Sequence, residues 1–434
     1  MTVRVLFTVF CAALFSAGAH GEFLAGTARA SITPLEEGIP TQLGGYGARN
    51  GQPATGVHDT IYAKVIVMKS GDTLVALVGL DICTTPWSLV EDTLKKAALP
   101  GLNTENVLLS ASHTHGGLEG MAMDRNNVLG NPHIGMYSEE MLNFVSDRVA
   151  GALKEAASRL EPVTAGTGVA RLAGMNRNRR HDGAPTDEDM TVLRLDRANG
   201  TPLAVVVNYT AHGTIMTEKE MEVSGDWAGS MQRTLEDLIG GDVTCVYTNG
   251  SEGDVAPRGY TGGSRYEMAE QYGRRVAIAA DKLTGAIRTG PVEHFAVMSH
   301  SVSLPPKKAS PDFMKIAGDE YNVDEAQLGM ALEVLFPSEA PLYGLRVNDF
   351  HMITVPGEPI TTIGLAIKEA LREGGAGHPV IASTTNAHIG YILTREEYAL
   401  SGYEVTASFY GESLGEVFVQ GASEFVARLT GGSE

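Results

Sequence analysis

Short apolar runs alternate with stretches of helical periodicity along most of this chain, and that alternation constrains the fold more than any other feature. IYAKVIVM and TLVALVGLD flank the turn Lys69-Ser70-Gly71-Asp72, and MTVLRLD and PLAVVVNYT flank Arg197-Ala198-Asn199-Gly200, so each pair is expected to form a β-hairpin. Helical patterns separate them. Thr85-Pro86 opens one that runs to about Leu99, where Pro100 stops it. Ser138-Glu139-Glu140 begins a longer one, with Met141, Leu142, Val145, Val149 and Leu153 at helical spacing. Further helices are expected over 226–239, ending at Gly240-Gly241, near 265–286 and near 361–373. The strand-like runs NVLLSAS, VTCVYTN, DFHMITVP and PVIASTT are interleaved with these. Hairpins mixed with strand–helix–strand passages predict an α/β fold of mixed β-sheets flanked by helices. No internal repeat and no low-complexity linker is visible, so a single catalytic domain is expected.

Several of these apolar strands end in chemically useful residues. TLVALVGLD stops at Asp81, NVLLSAS at His113-Thr114-His115, LAVVVNYTA at His212, VTCVYTN at Gly253-Asp254 and FHMITVP at Gly357-Glu358. In open α/β sheets, ligands bind beyond the carboxyl ends of the strands. In an extended chain His113 and His115 point the same way, which makes them either a polar strand end or half of a metal site. His113, His212 and Glu358 would supply the N, N, O set of a catalytic zinc ion with a position left for water. The chain order permits that meeting without requiring it. A serine nucleophile is the competing reading. It fails because Gly250-Ser251-Glu252-Gly253 is one residue short of a nucleophile elbow, and Ser224 reads as the cap of the following helix.

Charge narrows the partners. A net charge of −19 argues against nucleic acid, whose binding needs a basic surface, and against a polybasic membrane anchor. Residues 1–21, with Arg4, an apolar run and small residues up to Gly21, read as a secretory signal peptide. No later segment is long and apolar enough for a stable membrane span, so a secreted or periplasmic protein is expected. Cys83 and Cys245 then remain, either as two buried thiols or as one disulfide.

Tract by tract, the chain from about Gly26 to its C-terminus resembles the neutral/alkaline non-lysosomal ceramidases. The similar tracts, in family order, are AGTARASITP, GGYGARNGQPATGVHDTIYAK, NVLLSASHTHGG, NRNRR, VLRLDRANGTPLAVVVNYTAHGTIM, NGSEGDVAP, VPGE and GYILTREEYALSGYE. The resemblance implies a ceramidase-like zinc hydrolase domain over 22–434, with Zn2+ held by His113, His212, Glu358 and Tyr391. It further implies His115 as the residue serving the zinc-bound water, and Arg177 and Tyr403 as donors to the substrate carbonyl. Asp254 and Ala256 would touch substrate. The family's GDVSP reads GDVAP here, with Ala256 in place of serine, and the chain ends where the family's C-terminal β-sandwich would begin.

The expected activity is therefore zinc-assisted hydrolysis of an N-acyl amide such as ceramide, on a small-molecule or lipid substrate. A hydrolase of the same fold acting on another lipid, ester or sugar-derived compound is the alternative. A non-catalytic binding homologue would not need so complete a ligand set. Two loops are candidates for lining the pocket, 118–136 and 306–343, the latter as a lid or as a surface helical insert.

Overall fold

The computed structural model describes residues 22–430, so the leader expected over 1–21 lies outside the described residues. Both expected hairpins form: Tyr62–Ser70 pairs antiparallel with Thr73–Leu80, and Asp189–Arg197 with Pro202–Tyr209. Each is followed by a helix, Trp87–Ala97 or Asp226–Ile239, and then by a strand parallel to the hairpin's second arm, Val107–Ala111 or Thr244–Asn249. Each is preceded by a strand antiparallel to its first arm, Phe23–Ser31 or Glu161–Arg171. The same order returns a third time in Phe295–Ser303, the hairpin Glu339–Val347 and Phe350–Thr354, the helix Thr361–Glu373 and the strand His378–Ala382. The expectation of no internal repeat is thus corrected, because the chain contains one strand–hairpin–helix–strand unit three times. The repeat is one of topology. Core positions demand only suitable apolar volume, so three cores can diverge beyond recognition while the strand order persists.

Strands read as unbroken apolar runs because both faces of each sheet are covered. Val65 and Val67 pack with Leu89 and Val149 from their unit's own helices, whereas Ile66 and Met68 enter a core shared by all three units. Val192 and Leu193 divide in the same way, as do Ile353 and Met352. Burying one such side chain contributes roughly 1.5–3 kcal/mol, so the alternation fixes the strand register firmly.

This topology also places the functional end. In every unit the hairpin's first arm runs opposite to its neighbours. The loop entering the hairpin, the loop leaving it and the loop after the parallel strand therefore emerge together. The tight turns at Gly71 and Gly200 lie at the other end. The three rims are stitched where they meet: Ala111 N–H donates to Thr384 O at 3.3 Å, Ser383 N–H to Asn249 O at 3.0 Å, and the Asn249 amide to Ser112 O at 3.3 Å.

Local signals mostly act as expected. Ser138 caps Glu139–Ser158 through the Met141 N–H, while Pro86 sits at the N-cap of Trp87–Ala97 and Ala98, in the left-handed region, ends that shorter helix ahead of Pro100. Cys83 and Cys245 are both free and buried. No helix among the described residues is long and apolar enough to cross a membrane.

Candidate metal centre and substrate cavity

His113, His212 and Glu358 come from three different units and meet at the shared rim. The Nε2 atoms of His113 and His212 lie 3.3 and 3.2 Å from Glu358 Oε2. Each imidazole donates its Nδ1–H to a backbone carbonyl, His113 to Cys83 O at 2.8 Å and His212 to Glu252 O at 2.7 Å. With its proton on Nδ1, each neutral imidazole offers the Nε2 lone pair. Glu358 Oε2 has no hydrogen-bond donor among the described residues. Three buried acceptors converging on one point, with no donor among them, form a site for a cation. Tyr391 joins them because its strand, Tyr391–Ile392, pairs with Glu358–Pro359, which brings its hydroxyl to 3.4 Å from His212 Nε2. Burial, with Arg179 nearby, lowers the pKa of His212 to about 4.

His115 stands beside this group, its Nε2 3.5 Å from that of His113. The strand pleat is not what brings the two together. The strand ends at Ala111, and His113 takes a left-handed backbone with φ +62°. That conformation costs a non-glycine residue on the order of 1–3 kcal/mol and marks a functional constraint. Gly45, in the GGYG tract, makes room for the His115 ring: a Cβ there would lie 2.1 Å from His115 Nδ1. The Tyr46 ring meets the same imidazole edge-on at 4.7 Å. Burial lowers the His115 pKa well below its ordinary value, so the ring is neutral.

Beside these residues opens a cavity of about 180 Å3. Its floor is His113, His115, Glu358 and Tyr391, and its polar wall includes Tyr403 and His388. The opposite wall is apolar. Within 306–343 lie the helices Phe313–Ile316, Gly318–Tyr321 and Glu325–Leu335, and these with their links present Phe313, Val323, Leu328 and Leu335 to the cavity. The segment is thus a helical insert that lies over the site. The 118–136 loop adds Met121 and Ile134.

The family model described as neutral/alkaline non-lysosomal ceramidase, N-terminal, matches residues 23–299. The chain belongs to the neutral/alkaline non-lysosomal ceramidase family. Neutral ceramidase B of Dictyostelium discoideum is 23% identical, over 83% of this chain and 66% of its own length. The neutral ceramidase of Pseudomonas aeruginosa is 23% identical, over 89% of this chain and 69% of its own length. The chain thus spans about two thirds of each relative. The crystal structure of the Pseudomonas neutral ceramidase superposes with a TM-score of 0.77 at 21% identity, covering 94% of this chain and 75% of that one. A ceramidase complexed with C2 superposes at 0.76.

Within this ceramidase-family site, three residues expected to serve it stand elsewhere. Arg177 is exposed and pairs with Ala256 between the short strands Asn176–Asn178 and Val255–Pro257, outside the cavity. Arg179 is the arginine that contacts the metal group, behind Tyr391, donating to the Tyr391 hydroxyl at 2.9 Å and pairing with Glu404 at 2.8 Å. Strand alternation does not carry from 177 to 179, because the Asn178 side chain accepts the Arg180 and His181 N–H groups and turns the chain. Asp254 is a brace. Its carboxylate accepts the Thr361 N–H and hydroxyl at 2.7 Å each and the Asn178 amide at 2.6 Å, tying three loops together. Ala256 does not line the cavity either.

Tyr403 does line it, its hydroxyl 2.9 Å from that of Tyr321 on the covering helices. Burial pushes the Tyr403 pKa up, so the phenol keeps its proton. Tyr321 and His388 carry no sequence signal of their own. Position in the NAHIGYILT tract, three residues before Tyr391, is the only pointer to His388.

Proposed function

We propose that this chain is an exported, zinc-dependent amidohydrolase that cleaves the N-acyl bond of a lipid amide such as ceramide, releasing a fatty acid and an amine. The observation that carries the reading is a cavity that reaches a buried His–His–Glu group through His113 and Glu358 and is lined elsewhere largely by apolar side chains. His113, His212, Glu358 and Tyr391 would hold the zinc, since imidazole, carboxylate and phenolate donors suit this borderline ion. A zinc ion bound there supplies a Lewis acid for the acyl oxygen and lowers the pKa of water toward neutrality. His115, neutral and at the cavity floor, takes the proton of the attacking water and passes it to the leaving amine. Tyr403 donates its hydroxyl hydrogen bond to the oxygen that gains charge. Arg179 acts through Tyr391, whose hydroxyl it orients. The covering helices take the hydrocarbon chain and keep water from the reacting carbon. Export rests on the leader-like residues 1–21, and N-terminal sequencing of the secreted form should find a start near Gly21 or a few residues earlier.

The test is fatty-acid release from a short-chain ceramide by the purified protein, with chelator, zinc add-back and parallel metal analysis. Chelator-sensitive release restored by zinc is expected. Bound zinc without release would keep the hydrolase and move the substrate to another lipid, ester or sugar-derived compound. A purified protein that holds no zinc and releases no fatty acid would overturn the reading.

A further inference from the structure

We propose that His388 is a positioning residue for Glu358: it donates Nε2–H to one carboxylate oxygen and leaves the other for the metal ion. The proposal rests on the metal reading above. His388 Nε2 lies 2.9 Å from Glu358 Oε1, whereas Oε2 is the oxygen facing His113 and His212 with no donor of its own. The two oxygens are thus divided between a protein donor and a cation. An ionised carboxylate only accepts, so the His388 nitrogen at this contact carries the proton.

The loop makes this division rigid. Thr384 N–H donates to Gly357 O at 3.1 Å and Ile389 N–H to Pro356 O at 2.9 Å, so residues 384–389 are laced along the Glu358 loop. The Glu358 N–H donates to Gly390 O at 3.0 Å. The Asn386 side chain accepts the Leu109 N–H at 2.8 Å and donates to Val107 O at 2.6 Å, pinning the loop to the strand that leads to His113. One loop therefore holds the backbone of Glu358 and, through His388, its side chain. Core packing does not explain the residue. The His388 side chain keeps 17% of its surface and lines the cavity, while Glu358 beneath it keeps 5%. Without the imidazole, Oε1 would be a buried acceptor lacking a partner, and the carboxylate would be free to turn.

Removing the outer partner of a metal ligand lowers metal affinity by about 10–100-fold. The test is the zinc dissociation constant, by competition with a chromophoric chelator, for the full chain and for His388→Leu, His388→Ala and His388→Gln. Thermal melting in saturating zinc serves as the fold control. His388→Leu is expected to bind zinc about 10–100-fold more weakly, and His388→Gln, whose amide restores an N–H donor, within about threefold of the parent. His388→Ala supplies the same comparison should the leucine variant not fold. Parent-like affinity in the leucine or alanine variant would overturn the proposal, as would a glutamine variant as weak as they are. An unsubstituted protein that binds no zinc would overturn the metal reading itself, and this one with it.

Discussion

Replacing Gly45 with alanine probes how the GGYG tract serves the site without touching any proposed zinc ligand. Gly45 has φ +83°, and a Cβ there would sit 2.1 Å from His115 Nδ1 and 2.4 Å from Cγ and Cε1. Carbon and nitrogen atoms rest comfortably near 3.5 Å, so the imidazole must retreat by more than about 1 Å. It has little room, with the Tyr46 ring at 4.7 Å and the His113 ring at 5.0 Å. The left-handed backbone costs alanine roughly 1–2 kcal/mol, and overpacking adds about 1–3 kcal/mol. A displacement of that size in a proton-transferring group lowers turnover by about 100-fold. Gly45→Ala is therefore expected to keep one zinc per chain, melt several degrees lower and lose about two orders of magnitude in kcat. A double-mutant cycle supplies the decisive comparison. In a His115→Ala background the clash disappears, and only the backbone cost of about 1–2 kcal/mol should remain. An equal loss of stability in both backgrounds, or near-normal turnover in Gly45→Ala, would refute the steric reasoning.

His113→Ala should lose both zinc and activity, whereas His115→Ala should retain most of the metal and lose turnover; metal analysis beside the rate assay separates them, and full zinc in His113→Ala would remove it from the ligand set. Burial raises the Asp226 carboxyl from 3.8 to about 7 despite the Met216 and Trp227 N–H donors. A raised folded-state pKa means stability present at low pH and lost as pH climbs from about 4 to 7, by up to about 4 kcal/mol. The stability of Asp226→Asn relative to the parent should therefore rise across that window and level off above it; denaturant melts giving a flat difference would contradict this. Ala256→Ser should leave substrate preference unchanged, because Ala256 does not line the cavity; a gain on ceramide, measured as kcat/KM, would place the pocket wall elsewhere.

Local chemistry explains why so many elements were legible. The helices Asp226–Ile239 and Thr361–Glu373 carry their own stop and spacing signals, and the hairpins carry their own turns. The His-Thr-His tract, His212 and Glu358 stood out because each closes or follows an apolar strand, whereas Tyr391 was indicated only by the family resemblance. Residues 306–343 showed no periodicity that separates a lid from a surface insert. Their apolar side chains face a cavity rather than a sheet, so no single-face pattern distinguishes the two.

Tertiary structure alone decided what depends on contacts between units. Arg177 and Arg179 look interchangeable in NRNRR; only the turn at Asn178 sends one to solvent and the other to Tyr391. His388 acquires a role only because the third unit's two rim loops lie side by side and put its imidazole on Glu358. The threefold repeat is equally hidden, since topology constrains where apolar residues fall and not which ones they are. The amino-acid sequence by itself determined the elements and the chemistry at their ends, since both depend on neighbours a few residues apart. Which ends meet was settled by packing three units, two of them in one eight-stranded sheet and the third in a four-stranded sheet, against one core, a condition that no local stretch of chain contains.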